Sequence, residues 1–99
     1  MAKAKLFYKT KLIYSDGAIR EMVIWDLPNS DQERPHGLKY RLYYGNSEGE
    51  CLVRYDNEKG KGDHKHIDGI EKKYNFQNIE TLVSDFQKDI DLRRKNERD

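Results

Sequence analysis

Asn78-Ile79-Glu80-Thr81-Leu82-Val83-Ser84-Asp85-Phe86-Gln87-Lys88-Asp89-Ile90 is the stretch that decides the fold. Ile79, Leu82, Val83, Phe86 and Ile90 fall at i, i+3, i+4, i+7 and i+11, so a helix would gather them into one apolar stripe. Asn78 suits the N-cap, where a side-chain oxygen accepts a free backbone N–H. Glu80 and Asp85 sit early and Arg93, Arg94 and Lys95 late, as the helix dipole favours. The residues from Asn96 to Asp99 are expected to fray. A helix with a single apolar stripe needs a partner surface, and the upstream chain supplies one with a period of two.

Residues 3 to 14 alternate, with Leu6, Tyr8, Leu12 and Tyr14 on one parity and Lys3, Lys5, Phe7, Lys9 and Lys11 on the other. That is a strand with one buried and one basic face. Ser15-Asp16-Gly17 reads as a tight turn, and Ala18 to Leu27 as a second strand, central because Val23, Ile24 and Trp25 are consecutive. A polar loop bracketed by Pro28 and Pro35 follows. Leu38, Tyr40, Leu42 and Tyr44 mark a third strand, Glu50 to Tyr55 a fourth, and Ile70 to Phe76 at best a short edge strand. These readings predict one α+β domain over residues 1–99. It is a twisted antiparallel sheet of four to five strands with one long C-terminal helix packed on one face. The face opposite the helix should carry Lys3, Lys5, Lys9, Lys11, Lys39, Arg41 and Arg54, with Phe7 and Tyr43 among them. Cations interleaved with aromatic rings suit single-stranded RNA, which they hold by phosphate contact and base stacking.

Bulk composition narrows the classes. Charged residues make up 37% of the 99 residues, and mean hydropathy is −1.09. The apolar residues are nonetheless periodic, which argues for a folded chain. Net charge is only +1, so charge distribution and not total charge must carry any nucleic-acid argument. The single cysteine, Cys51, excludes an internal disulfide framework and a cysteine zinc site, and its place in a strand pattern predicts a small core residue. No apolar run follows Met1-Ala2-Lys3-Ala4-Lys5, and no stretch is long enough to span a membrane, so a cytoplasmic protein is expected.

Chemistry concentrates in Tyr55-Asp56-Asn57-Glu58-Lys59-Gly60-Lys61-Gly62-Asp63-His64-Lys65-His66, a polar run after the apolar Cys51-Leu52-Val53. It reads as a solvated loop. Two of the chain's three histidines lie in it, and in extended backbone His64 and His66 share a face. RNA can be cut without a metal because its 2′-OH is an internal nucleophile. The reaction needs a base, an acid and a cation for the phosphorane. His64 and His66 can fill the first two roles, or His36 one of them. Lys59, Lys61, Lys65 or Arg54 can stabilise charge, and Asp63 or Tyr55 can assist. Asp56, Asp63, His64, His66 and Asp68 also offer ligands for a dication, but the interleaved lysines argue against one, and no metal or cofactor is expected. Gly60-Lys61-Gly62 lacks the spacing of a P-loop.

Ser15-Asp16-Gly17, Met22-Val23-Ile24-Trp25, His36-Gly37-Leu38-Lys39-Tyr40-Arg41-Leu42 and the run from Tyr55 to His66 together resemble the TumE-type toxin family of bacterial toxin–antitoxin modules. The resemblance covers most of the chain, and its most specific part is Tyr55 to His66 with His36-Gly37. It implies a growth-inhibiting toxin of a type II system, neutralised by a helix-turn-helix antitoxin encoded beside it. From the loop chemistry, the expected activity is a metal-independent endoribonuclease with His64, His66, Lys61, Lys65, Arg54 and His36 at its centre. Lys5, Lys9, Lys11, Lys39, Arg41, Tyr43 and Lys59 are then expected to hold RNA. The alternative is a non-catalytic module that binds RNA or protein. A homodimer stays open.

Overall fold

The computed structural model describes residues 3–29, 34–58 and 60–98, with side chains as far as residue 96. Six strands, β1 (Lys5–Ile13), β2 (Ile19–Asp26), β3 (Leu38–Gly45), β4 (Cys51–Asp56), β5 (His64–Ile67) and β6 (Ile70–Lys73), precede one helix, α1 (Ile79–Arg98). Each strand pairs antiparallel with the next, giving a sheet in the order β1-β2-β3-β4-β5-β6. The α+β architecture is as expected, but the sheet has six strands rather than four or five. The strand missed is β5, since His64-Lys65-His66-Ile67 carries no apolar alternation. Its register comes from the neighbouring turn. Asp68 and Gly69 have φ of 50° and 83° and close a two-residue hairpin between Ile67 and Ile70.

The helix forms as its periodicity predicts. Asn78 Oδ1 accepts from Thr81 N–H at 2.7 Å, which caps the first turn. Leu82, Phe86 and Ile90 are fully buried, and Ile79 and Val83 pack at the margin. They lie against Met22, Ile24, Tyr40, Leu42, Tyr44, Val53 and Tyr55, the parity of β2 to β4 that turns toward α1. The Phe86 ring meets the Tyr55 ring edge-on at 5.6 Å. Polar ties fix the helix along its length. Asp85 accepts from Tyr74 hydroxyl at 2.7 Å, and Asp89 accepts a short hydrogen bond from Tyr55 hydroxyl. Arg94 lies 4.0 Å over the Tyr14 ring and donates to Tyr44 hydroxyl at 2.9 Å.

Strand β1 departs from expectation. Its apolar parity was to be a buried face, yet Leu12 is 40% exposed, because α1 does not extend over this edge, and Leu6 is 58% exposed, opposite Trp25 on the face turned away from α1. A bulge at Phe7 separates the pairs Leu6↔Trp25 and Tyr8↔Ile24. Such an extra residue reverses the facing of everything before it. Lys5 therefore pairs with Asp26 on the helix side, away from Lys9 and Lys11. Phe7 moves with Tyr8 into a groove beside Ile79 and Val83 and leaves the basic face. Cys51 is exposed at the start of β4, not a core residue.

Candidate functional site

Residues directly opposed in an antiparallel ladder share a face, so register alone defines the face turned away from α1. One row across it runs Lys9, Val23, Arg41, Asp56, His64 and Lys73, and the next runs Lys11, Glu21, Tyr43, Arg54, His66 and Glu71. Lys39 stands opposite Trp25 in a third. The two histidines and the arginines thus meet on one open surface.

His64 is buried, at 4% exposure, although it was expected in a solvated loop. Its Nδ1 lies 2.9 Å from the Gly62 carbonyl, which can only accept, so Nδ1 carries the hydrogen. Its Nε2 is 2.7 Å from Asp56 Oδ1 and 3.6 Å from Glu71 Oε1. Arg54 Nε lies 3.0 Å from Asp56 Oδ2. The His66 ring stands 5.2 Å from the His64 ring, edge to face, with Nε2 3.5 Å from Glu71 Oε1. Lys61 Nζ is also 3.5 Å from that oxygen. Among the described residues, Arg54 Nε, Asp56 Oδ1 and His66 Nε2 are buried without an aligned hydrogen bond. Their ion contacts are close but off-axis. Three such atoms in one cluster are costly unless something else meets them. Arg54 and Asp56 belong to the wall of a hollow of about 190 Å³ lined by Arg41, Arg54, Asp56, Glu58, Lys61 and His64, with His66 next to it on β5. Desolvation, with Arg54 alongside, lowers the His66 pKa below the usual histidine value. Burial pushes the Glu71 carboxyl up, but Lys61 and the two imidazoles outweigh it and hold it low.

Other expected site residues lie elsewhere. Lys65 faces α1, with Nζ 3.3 Å from Asp89 and 5.4 Å over the Tyr55 ring. His36 is engaged on the helix side: Nδ1 accepts from Leu38 N–H, Nε2 meets Asp63 at 3.2 Å, and Phe76 stacks on its ring at 4.0 Å. Tyr40 hydroxyl donates to the same Asp63 carboxylate at 2.7 Å, which with burial raises the phenol's pKa. Asn57, fully buried, accepts from Tyr40 N–H at 3.0 Å and donates to Leu38 carbonyl at 2.8 Å. Much of the polar run from Tyr55 to His66 is thus scaffolding. Lys59 lies outside the described residues. Glu71, Glu21 and Trp25 were not anticipated. The Asp68-Gly69 turn, which folds Glu71 back beside His66, was the signal for the first of them.

An antiparallel sheet backed by one helix, with imidazoles, carboxylates and guanidinium groups on its open face, defines a small α+β protein with an acid/base cluster. The family described as Toxin TumE matches residues 3–94, and the chain belongs to that family. It is accordingly a toxin of a toxin–antitoxin system, and the family implies an antitoxin partner. No curated protein and no solved structure matches the chain. No helix among the described residues is long and apolar enough to cross a membrane.

Proposed function

We propose that the open face cuts RNA, and that this is how the toxin arrests growth. The observation that carries the reading is the pair of imidazoles 5.2 Å apart, one with a buried Nε2 that lacks an aligned hydrogen bond, near a hollow walled by Arg41, Arg54 and Lys61. The scissile phosphate sits against the cations. His66 Nε2 takes the 2′-OH proton, and the 2′ oxygen attacks phosphorus. The bond to the 5′ oxygen breaks, and that oxygen takes the Nε2 proton of a His64 imidazolium, with Asp56 2.7 Å away to balance its charge. The products are a 2′,3′-cyclic phosphate and a 5′-hydroxyl end, and water returns the imidazoles to their starting states. Arg41, Arg54 and Lys61 stabilise charge as it builds on the phosphorane, where water-excluded cations are most effective. A helix-turn-helix antitoxin that neutralises the toxin by binding completes a type II module.

A second reading rests on one observation. His64, His66 and Glu71 offer donor atoms all within 4.8 Å of one another. The separations of 3.5 and 3.6 Å from Glu71 are close to the roughly 3.4 Å between neighbouring donors of a tetrahedral zinc site. Lys61, already against Glu71, weighs against it. One experiment tests both readings. Purified toxin is incubated with RNA, with 2′-O-methyl RNA and with EDTA. Acid/base cleavage persists in EDTA, spares methylated RNA and drops about 10²–10⁴-fold in His66→Ala. Loss of cleavage in EDTA transfers the site to a metal.

A further inference from the structure

Beside the reaction hollow lies a second one of about 330 Å³, lined by Ile19, Glu21, Val23, Trp25, Arg41 and Tyr43. Arg41 lines both hollows, so they are neighbours on the same face of the sheet. The size is at the small end for ligand pockets, and the lining is apolar with a few polar groups at its rim. The aromatic rings are held in place. The Tyr43 ring lies back along β3 over Gly45, where the hydroxyl takes the space a Cβ would need. Arg41 sits 6.0 Å from the Tyr43 ring centre and Lys39 5.4 Å from that of Trp25. Both rings are half-buried. Among the described residues no hydrogen bond or ion pair engages the Glu21 carboxylate, although Lys11 and Tyr43 stand directly across from it.

We propose that this hollow is a nucleobase subsite that selects guanine next to the cleaved bond. The proposal rests on the RNA reading above. The occupant follows from position and charge: Lys9, Lys11, Lys39, Arg41 and Arg54 share the face, and a polyanion crossing it passes the hollow on its way to His66. Tyr43 and His66 are two strands apart in the same row, about 10 Å at the usual strand spacing. A base stacked on Tyr43 therefore places its own phosphate at Arg41 and Arg54. Glu21 supplies the selection. A carboxylate has two acceptor oxygens and no donor. Guanine presents N1–H and N2–H side by side, so it can engage both oxygens. Adenine and cytosine each present one amino group next to an acceptor nitrogen. Uracil has one N–H flanked by two carbonyl oxygens that the carboxylate repels.

The test uses full-length toxin and 2′-O-methyl oligonucleotides, which bind but lack the nucleophile. Fluorescence anisotropy compares an all-uridine oligomer with one holding a single guanosine, adenosine or cytidine. The guanosine oligomer should bind at least about 10-fold tighter than all-uridine, from the worth of one good bidentate contact. Glu21→Gln should erase that preference, bringing guanosine and all-uridine affinities together, with all-uridine affinity no weaker than in wild type. Tyr43→Ala should weaken every oligomer about 5–100-fold through the loss of stacking. Trp25→Leu serves as a second stacking variant in case Tyr43→Ala does not fold. Guanine preference that survives Glu21→Gln, or affinity indifferent to both ring substitutions, overturns the subsite. So does wild type that binds no oligomer. Tight, guanine-selective binding by a protein that cuts no RNA upholds the subsite and overturns the nuclease reading. Cleavage without base preference does the reverse.

Discussion

Asn57→Ala is the substitution that best separates scaffold from site within the polar run. The Asn57 side chain stands in for a strand residue just beyond the end of β4. Its Oδ1 accepts from Tyr40 N–H and its Nδ2 donates to Leu38 carbonyl, so it closes the ladder where β3 has lost its partner. The side chain is fully buried and so is Tyr40. Truncation leaves a backbone donor and a backbone acceptor unmet, at about 1–3 kcal/mol each. The expected loss is therefore about 2–6 kcal/mol, a large share of the roughly 5–15 kcal/mol that holds a domain folded. Urea denaturation followed by circular dichroism measures it, with the slope m unchanged if the folded and unfolded states keep their surfaces. Exposed Glu58, the next residue, is the control, and Glu58→Ala should stay within about 0.5 kcal/mol. A loss below about 1 kcal/mol in Asn57→Ala would refute the scaffold assignment.

Phe86→Ala should cost about 3–5 kcal/mol by thermal or urea unfolding, because the ring is fully buried against Tyr55. His66 has a folded pKa below its unfolded value, so the unfolded chain binds the proton more readily. Stability should rise as pH climbs through the window just below 6.5, and His66→Asn should flatten that rise. If His66 is the base, kcat/KM falls on acidification with a midpoint below 6.5, and a flat acid limb removes it from that role. Replacing Lys9, Lys39 and Arg41 together by Ala should reduce the salt slope of single-stranded RNA binding by about 2, near 0.7 for each phosphate no longer neutralised.

The helix and β3 were legible because burial imposed a period. Leu82, Phe86 and Ile90 must face Leu42 and Tyr44, and any other spacing would leave them wet. Strand β1 read just as well by parity and was still misjudged. Alternation announces two faces but not whether an element exists to cover one of them, and α1 stops short of this edge. Nor does parity survive a bulge. One extra residue at Phe7 moved Lys5 and Phe7 off the basic face while Lys9 and Lys11 stayed on it. Strand β5 was invisible for the opposite reason. It sets His64 and His66 on the open side and Lys65 against Asp89 on the other, so no apolar rhythm remains.

The placement of His64 and His66 on a strand, not a loop, changes what the polar run is for. A loop histidine would have to be ordered on binding, whereas strand register sets the position of both residues in advance. Asp56 pairs with His64 across one ladder, and Arg54 with His66 beside it. The segment joining β4 to β5 is pinned at one end by Asn57 and at the other by Asp63, which accepts from Tyr40 on the helix side. The residues that looked like spare acid/base groups, His36 and Asp63 among them, thus hold the frame from the opposite face of the sheet. Groups kept within a few tenths of an ångström by such supports are the usual requirement for a site that must aim a proton. It follows that Asp63→Asn, whose side-chain hydrogen bonds run to His36 and Tyr40 on the helix side, should lower activity more than it lowers affinity for RNA. Loss of affinity with turnover intact would place Asp63 at the substrate instead.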